Sequence, residues 1–449
     1  MNRPLNSRTP KVKEFVNPPF IACPDCGNTT FGVLMVNKYQ YARRCTTCWF
    51  DKAYPLPPLR KKVIYLDQFV ISNMMKQLDP STPCEQRGHH AQFFHELFEA
   101  LDRACKLQLV VCPESSVHDY ESVVTGPHYE NLRRMFRHLS YEVRFNRPEH
   151  VFRTQIVQCF RSWLDGVPAE VPRERGMALF GDIDAWTARI RIGLNYVLPG
   201  LAQELTQLRD AKTKHLHGVC LQWQQAPDFS FKEVFQNEVA ELGRSILRQY
   251  ARYLAKFGKV TSGEIPVSEI AFPPQEVDLA RDLLREAAKT HSDIQGRFDA
   301  VNAFFDSKDF RRLSYVKIWG LFWATLARSV RAGMKPENFP TGSIYNDLDV
   351  IAAYSPFCDA MFVDLEMENL SRQGDLGRCL ASGAKIFSLR SKEAFLNYVK
   401  GLENEASREH LNLVKEVYGP SAGTPFLELL TWDKMKPTTS ARAACVTQQ

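Results

Sequence analysis

Two short apolar runs, one near each end of the chain, share a pattern that predicts buried strands. Residues 63–66 read VIYL and residues 360–363 read AMFV, and each run is closed by an aspartate, Asp67 or Asp364. Buried parallel strands are typically continuous hydrophobic runs, and open α/β sheets bind ligands beyond the carboxyl ends of their strands. If the two strands are neighbours, both aspartates face one crevice. The pattern therefore predicts a carboxylate site built from residues 297 positions apart.

A third apolar run leads into a helix with acidic residues on one face. Residues 107–111 read LQLVV and predict a strand, and the following segment carries Glu114, His118 and Glu121. These three positions are three or four residues apart, so they share one face of a helix. We expect this face to contribute a carboxylate to the same crevice.

The segment before the second aspartate strand also predicts an acidic helix start. Residues 346–354 read NDLDVIAAY, in which an aspartate can cap a short apolar helix that Pro356 ends. Asp349 is preferred over Asp347 because it directly precedes the apolar run. Any single aspartate of this kind is often only a turn residue or a helix cap. It is the convergence of four acidic segments that predicts a functional site.

In kind and in order, these motifs resemble the PIN-domain nuclease superfamily. The resemblance covers residues 60–125 and 340–402, which is under half of the chain. It is carried by YLDQFVISN at 65–73, PESSVHDYE at 113–121 and DLDVIAAYSPFCDAMFVD at 347–364, followed by a last strand at 383–388 and a last helix at 392–401. The resemblance implies an α/β fold with a PIN-like parallel sheet flanked by helices.

The acidic quartet that the resemblance implies falls on Asp67, Glu121, Asp349 and Asp364. Glu121 fits the Ser-x-x-His-x-x-Glu spacing of some PIN-like proteins, whereas Glu114 lies nearer the strand end and stays open as an alternative. Two residues complete the candidate catalytic set: Asp359 as an additional acid and His118 as a side chain that holds a phosphate or a carboxylate. Carboxylates suit Mg²⁺ or Mn²⁺, and two such ions can activate water and stabilise the leaving oxygen of a phosphodiester.

The function implied is that of a divalent-metal-dependent endonuclease. The resemblance favours RNA over DNA as substrate and suggests a toxin or defence effector with an activating or regulatory protein partner or self-association into a homo-oligomer. The alternatives are a DNA nuclease of the same fold and a non-catalytic adaptor that binds nucleic acid or protein.

A second candidate site is formed by four cysteines near the N-terminus. Cys23 and Cys26 form one CxxC pair, and Cys45 and Cys48 form another after eighteen intervening residues. This spacing is typical of a structural Zn²⁺ site with four thiolate ligands. The β-forming and aromatic residues between the pairs predict a zinc ribbon. A thiol-redox pair is the alternative.

The basic residues of the chain are concentrated around this ribbon. Residues 1–66 carry a charge balance of +8, whereas the whole chain is only +6. Basic groups neutralise phosphates while aromatic rings stack on bases, so the expected nucleic-acid-binding residues are Arg43, Arg44, Lys61 and Lys62. The alternative is a ribbon that docks on its own nuclease domain or on another protein.

Length and patterning divide the chain into five parts. The predicted boundaries are a zinc ribbon with a basic N-terminal region at 1–58, a PIN-like domain in two parts at 59–125 and 341–418, a mainly helical insertion at 126–340, and a tail at 419–449. The insertion carries basic clusters, among them Arg311, Arg312 and Lys317. No apolar run is long enough to span a bilayer. The remaining cysteines are scattered singly, which favours a reducing, cytoplasmic location.

Overall fold

A computed structural model describes residues 16–124, 128–168, 174–187 and 200–431 of the 449-residue chain. The first described residues form an antiparallel sheet with the strand order β1-β2-β3-β4. Its strands are β1 (Asn17–Ile21), β2 (Phe31–Val36), β3 (Gln40–Cys45) and β4 (Asp51–Pro55). The basic stretch before residue 16 lies outside the described residues, as does the predicted tail after residue 431.

A four-stranded parallel sheet forms the centre of the protein, with the strand order β10-β9-β5-β6. Its strands are β5 (Lys62–Leu66), β6 (Val110–Val111), β9 (Ala360–Phe362) and β10 (Lys385–Phe387). The two apolar runs that end in aspartate are therefore hydrogen-bonded neighbours, with Leu66 paired to Phe362. The run at 107–111 pairs only through its last two residues. A small antiparallel pair comprises β7 (Arg144–Phe145) and β8 (Leu179–Phe180).

Most of the remaining described residues are helical. The α-helices are α1 (Gln68–Leu78), α2 (Ala91–Lys106), α3 (Ser116–Val124), α4 (Tyr129–Ser140), α5 (Pro148–Leu164), α6 (Arg175–Ala178), α7 (Leu201–Gln225), α8 (Phe231–Thr261), α9 (Gln275–Ala287), α10 (Ile294–Phe305), α11 (Lys308–Arg312), α12 (Ser314–Arg331), α13 (Ile344–Tyr354), α14 (Leu365–Ser371), α15 (Gly374–Leu380), α16 (Lys392–Glu405) and α17 (Arg408–Tyr418). Short 3-10 turns lie at Cys84–Gln86, Val267–Ile270, Pro336–Asn338 and Leu389–Ser391. None of the described helices is long and apolar enough to cross a bilayer.

The central sheet is covered by helices on both faces, because successive strand residues point to opposite sides. Val63 and Tyr65 pack into a core shared with α12 and α13, whereas Ile64 and Leu66 pack into a core shared with α1, α2, α4 and α16. The sheet is thus buried on both faces, as its continuous apolar strands predict. The α/β class and the flanked parallel sheet are confirmed.

The helical segment between the two halves of the sheet has its own core but also packs on the sheet. Helices α5, α8, α9, α10 and α11 share one cluster of buried residues, and α12 contributes to both that cluster and the sheet core. Within this segment α9 and α10 are separate helices, because Asp293 begins α10 by accepting a hydrogen bond from the Gly296 amide at 2.7 Å.

Candidate acidic site and cysteine site

The two strand-end aspartates lie at the same edge of the sheet. Asp67 follows β5 and caps α1, with its Oδ1 accepting from the Gln68 amide at 2.6 Å. Asp364 follows β9 and caps α14, with its Oδ1 accepting from the Met367 amide at 2.7 Å. Since β5 and β9 are adjacent and parallel, their carboxyl ends bring both carboxylates to one crevice. Each cap orients one oxygen towards the backbone.

Two helices add one carboxylate each to this edge. Glu121 lies on α3, and Asp347 lies in the first turn of α13. The charges of Asp67 and Asp364 both act on Glu121 and on Asp347. We call Asp67, Glu121, Asp347 and Asp364 the acidic cluster. All four side chains are half-buried, so the crevice keeps contact with solvent.

Burial and mutual repulsion make the acidic cluster hard to ionise. Burial, with the charge of Asp364 added, raises the pKa of Asp67 to about 7. Burial and the charge of Asp67 raise the pKa of Glu121 to about 8, although Arg209 opposes the shift. Burial and the other three carboxylates raise the pKa of Asp347 well above its usual value. The cluster therefore holds protons near neutral pH unless a cation replaces them.

Among the described residues, little positive charge compensates the acidic cluster. Within the described residues, none of its four carboxylates forms an ion pair, and the cation that acts on Glu121 is the exposed Arg209 of α7. Helix α7 packs on α3 and also meets the segment before α13, where Thr213 Oγ1 accepts from the Gly342 amide at 2.7 Å. A β-carbon at position 342 would lie 2.6 Å from the Arg209 carbonyl oxygen, so glycine permits this close approach. The insertion thus reaches the edge of the acidic cluster.

The donor set of the acidic cluster fits a hard divalent cation. Four carboxylates supply only oxygen ligands, which Mg²⁺ and Mn²⁺ prefer, and a bound cation would relieve the repulsion that raises the pKa values of Asp67, Glu121 and Asp347. Glu366 on α14 adds a further acid at the rim, and its pKa is raised by partial burial and by the charge of Asp364. The chemistry of the site thus favours a cation bound by several of these acids.

The structure brings Asp347, rather than the preferred Asp349, to the acidic cluster. Residues two apart on a helix point about 200° away from each other, so only one of the two can face the acidic cluster. Asp349 instead accepts a hydrogen bond from the Tyr315 hydroxyl at 2.6 Å, and burial raises its pKa to about 7. A capping Asp347 or Asp349 would start the helix four or six residues later than the observed start at Ile344. Asp347 therefore lies in the first turn of α13 and faces the site.

Two other candidate acids lie away from the acidic cluster. Glu114 is buried in an ion pair with Arg144 Nε at 2.7 Å, and Asp359 precedes β9 at the opposite edge of the sheet, where it pairs with Lys62 and Arg175. Neither is brought to the crevice, because an ion pair holds each elsewhere.

His118 is a core residue in this structure. Its ring stacks between those of Tyr65 and Phe136, at centroid distances of 5.1 and 4.5 Å. Its Nδ1 accepts from the Ser115 amide at 3.1 Å, and burial lowers its pKa to about 3. A neutral, stacked imidazole that is 1% exposed does not reach a substrate, so the expected phosphate-holding role is not supported by its position.

The four cysteines do come together. Their Sγ atoms all lie within 4.8 Å of one another, and the Cys23–Cys48 and Cys26–Cys45 pairs are each 3.6 Å apart. Sulfurs at the corners of a tetrahedral Zn²⁺ site with 2.3 Å bonds are about 3.8 Å apart, so the arrangement fits zinc. Gly27 has a φ of +74°, and its amide donates to the Cys23 carbonyl at 2.9 Å to close the first turn.

The basic residues of the ribbon are mostly used within the protein. Arg43 is fully buried and donates to the carbonyls of Pro19, Phe31 and Glu416, at 2.7, 3.1 and 2.6 Å. Glu416 lies on α17, and Tyr41 bonds to its carboxylate. The ribbon therefore docks on the C-terminal helix of the same chain, which was the alternative to a nucleic-acid surface.

The lysines after the ribbon are engaged as well. Lys61 is 3% exposed and donates to the Ala185 carbonyl at 2.7 Å, and burial lowers its pKa to about 8. Lys62 pairs with Asp359 at 2.9 Å. Arg44 is half-buried on β3 across from Asp51. Burial engages Arg43 and Lys61 within the fold, and an ion pair engages Lys62, so the nucleic-acid-binding role expected from charge stays a prediction.

Sequence reasoning missed two residues at the acidic site, Asp347 as the preferred acid and Arg209 as its nearby cation. The signal for Asp347 was available in the length of the helical pattern, which extends back to Ile344. No local signal identifies Arg209, which reaches the site only through the packing of α7 on α3.

No protein-family model, curated protein or solved structure matches this chain. The family resemblance accordingly rests on the motifs alone.

Proposed function

We propose that the protein is a divalent-metal-dependent phosphodiesterase that acts as an endonuclease. The observation that carries this proposal is the acidic cluster at the carboxyl edge of the parallel sheet. Maintaining four mutually repelling carboxylates that have no ion pair among the described residues costs folding free energy, and proteins retain such arrangements where function requires them. A Mg²⁺ or Mn²⁺ ion there would supply an activated water and stabilise the charge that develops on a phosphodiester.

Each acid has a distinct part in this proposal. Asp67 and Asp364 lie on rigid strand ends, where the caps to Gln68 and Met367 leave a second oxygen of each carboxylate for a cation. Glu121 and Asp347 approach from α3 and α13. A carboxylate whose pKa lies near neutrality can also accept a proton from water, which suits Glu121 to general-base chemistry. The charge of Arg209 beside Glu121 supports a role for it in contacting a substrate phosphate.

RNA is the preferred substrate class because the motifs resemble PIN-domain nucleases, and a role as a toxin or defence effector follows from the same resemblance. The four cysteines favour a structural Zn²⁺ in the ribbon, separate from the acidic cluster. Docking of the ribbon on α17 supports a role in the fold.

The test is cleavage of labelled single-stranded RNA, transfer RNA, and single- and double-stranded DNA by purified protein with added Mn²⁺ or Mg²⁺. For the metal-free reactions, divalent ions are removed from the buffers with a resin, because a strong chelator added to the protein would also remove Zn²⁺. We expect metal-dependent cleavage that Asp67→Asn and Asp364→Asn abolish. Asp349→Asn is the matched control, because Asp349 lies outside the acidic cluster and an amide oxygen can still accept from Tyr315.

Two results would overturn the proposal. One is full activity in Asp67→Asn or Asp364→Asn. The other is absence of cleavage with every substrate and metal, together with no Mn²⁺ binding at the acidic cluster. Binding of a nucleic-acid strand without cleavage would instead favour the non-catalytic adaptor.

A further inference from the structure

A cavity of about 210 Å³ opens at the edge of the sheet opposite to the acidic cluster. Ser355 and Pro356, which follow α13, form one wall, and Gly383, which precedes β10, forms another. Asp347 lies in the first turn of the same α13, eight residues and about 12 Å along the helix axis from Ser355. We call this the opposite-edge cavity.

Three cationic side chains line the opposite-edge cavity, and no acidic side chain does. These are Arg312 at the end of α11, Lys317 in α12 and Arg378 in α15. Arg378 pairs with Asp375 of its own helix. In the described part of the chain, neither Arg312 nor Lys317 forms an ion pair. Two uncompensated cations that share a cavity repel each other, and a bound anion would relieve that repulsion.

Hydroxyl and backbone groups add to the anion-binding character of the cavity. Ser314 and Ser382 also line it. Ser314 is the first residue of the 18-residue helix α12, whose dipole favours negative charge at this end. The cavity thus combines guanidinium, ammonium, hydroxyl and helix N-terminal groups, which together suit the oxygens of a phosphate.

We propose that the opposite-edge cavity binds the phosphate group of a free, small phosphorylated ligand. The volume corresponds to about seven waters, which accommodates one or two phosphate groups. A nucleic-acid strand held at the acidic cluster would have to pass around the sheet to reach it, because α13 separates the two sites. A free ligand has no such constraint. The proposal does not depend on nuclease activity.

The test is isothermal titration calorimetry of the full chain with inorganic pyrophosphate in buffer without divalent ions. We expect binding that is weakened at least about tenfold in the Arg312→Gln, Lys317→Gln double variant, as expected for loss of charged hydrogen bonds. Arg311→Gln is the matched control, because Arg311 donates to the Asp306 carbonyl at 3.0 Å and does not line the cavity. Unchanged thermal unfolding of each variant verifies that it is folded.

Binding to the wild-type chain that is equal in the double variant would overturn the proposal, as would no binding at millimolar pyrophosphate. A second arm titrates a ten-nucleotide single-stranded RNA into the same variants. We expect its binding to be unchanged by the double variant. If the double variant loses RNA binding while pyrophosphate does not bind, the cavity contacts a strand, and the free-ligand proposal is wrong.

Discussion

The cysteine site and the acidic cluster differ in how their ligands are brought together. The four cysteines come from two turns within 26 residues, and their sulfurs are close enough for one zinc ion. The acids come from two strands and two helices spread over 298 residues, and they are half-buried around an open crevice. A local, closed site suits a structural metal, whereas an assembled, open one leaves positions for water and substrate.

The difference also concerns what each site requires from the rest of the protein. Thiolates bind Zn²⁺ tightly enough to organise the short segment around them. The acids repel each other, so the sheet, α3 and α13 must already be folded to hold them together. The first site can therefore stabilise its surroundings, while the second is stabilised by them until a cation binds.

The largest expected effect is on the cysteine site. Cys23→Ser should abolish zinc binding, because it removes one of four ligands from a site whose metal contributes on the order of 10 kcal/mol to folding of its segment. The measurement is zinc content by mass spectrometry, with limited proteolysis of the ribbon. Cys84→Ser, at an exposed cysteine elsewhere, should retain one zinc per chain. Full zinc content in Cys23→Ser would show that the four cysteines do not form the site.

The next effect separates two aspartates on the same helix. Asp347→Asn should lower the cleavage rate at least about a hundredfold, because it removes a carboxylate from the acidic cluster. Asp349→Asn should keep the rate within about threefold, since its partner is Tyr315. The measurement is the single-turnover cleavage rate with Mn²⁺. The reverse order of effects would restore the interpretation made from sequence.

A smaller effect is expected at the edge of the acidic cluster. Arg209→Gln should weaken substrate binding about tenfold, because a charged contact to phosphate is lost. It should also shift the acidic limb of the pH–rate profile to higher pH, because Arg209 lowers the pKa of Glu121 and its removal raises that pKa. Lys212→Gln is the control, because Lys212 acts on Asp349. A variant with wild-type binding and an unshifted profile would place Arg209 outside the site.

The smallest effect is on stability and its pH dependence. The folded pKa values of Asp67 and Glu121, about 7 and 8, exceed those of unfolded carboxyl groups, so the folded state binds more protons above about pH 4. Stability without divalent ions should therefore fall as pH rises from 5 to 8. Mn²⁺ at pH 8 should raise the melting temperature by at least about 2 °C and release protons.

Asp67→Asn should flatten this pH dependence, because it removes one of the titrating groups and part of the repulsion. The measurement is thermal unfolding across the pH range, with and without Mn²⁺. Stability that rises between pH 5 and 8 without metal would contradict the raised pKa values.

The sequence by itself determined the strand-end aspartates, the cysteine spacing and the α/β class. These depend on local patterns, because a buried strand must be continuously apolar and a CxxC turn brings its own sulfurs together. The strands that end at Asp67 and Asp364 were predicted correctly, because a short, continuously apolar run is favourably buried in a sheet that is covered on both faces.

Tertiary structure decided which side chains meet. Asp347 and Asp349 point about 200° apart around the axis of α13. The packing of the apolar face of α13, not the acids themselves, decides that Asp347 faces the acidic cluster. Arg43 reads as a surface cation in sequence, yet three carbonyls from separate segments bury it. Arg209 reaches the crevice only because α7 docks on α3. Burial and proximity are properties of the assembled chain, so no local pattern could specify them.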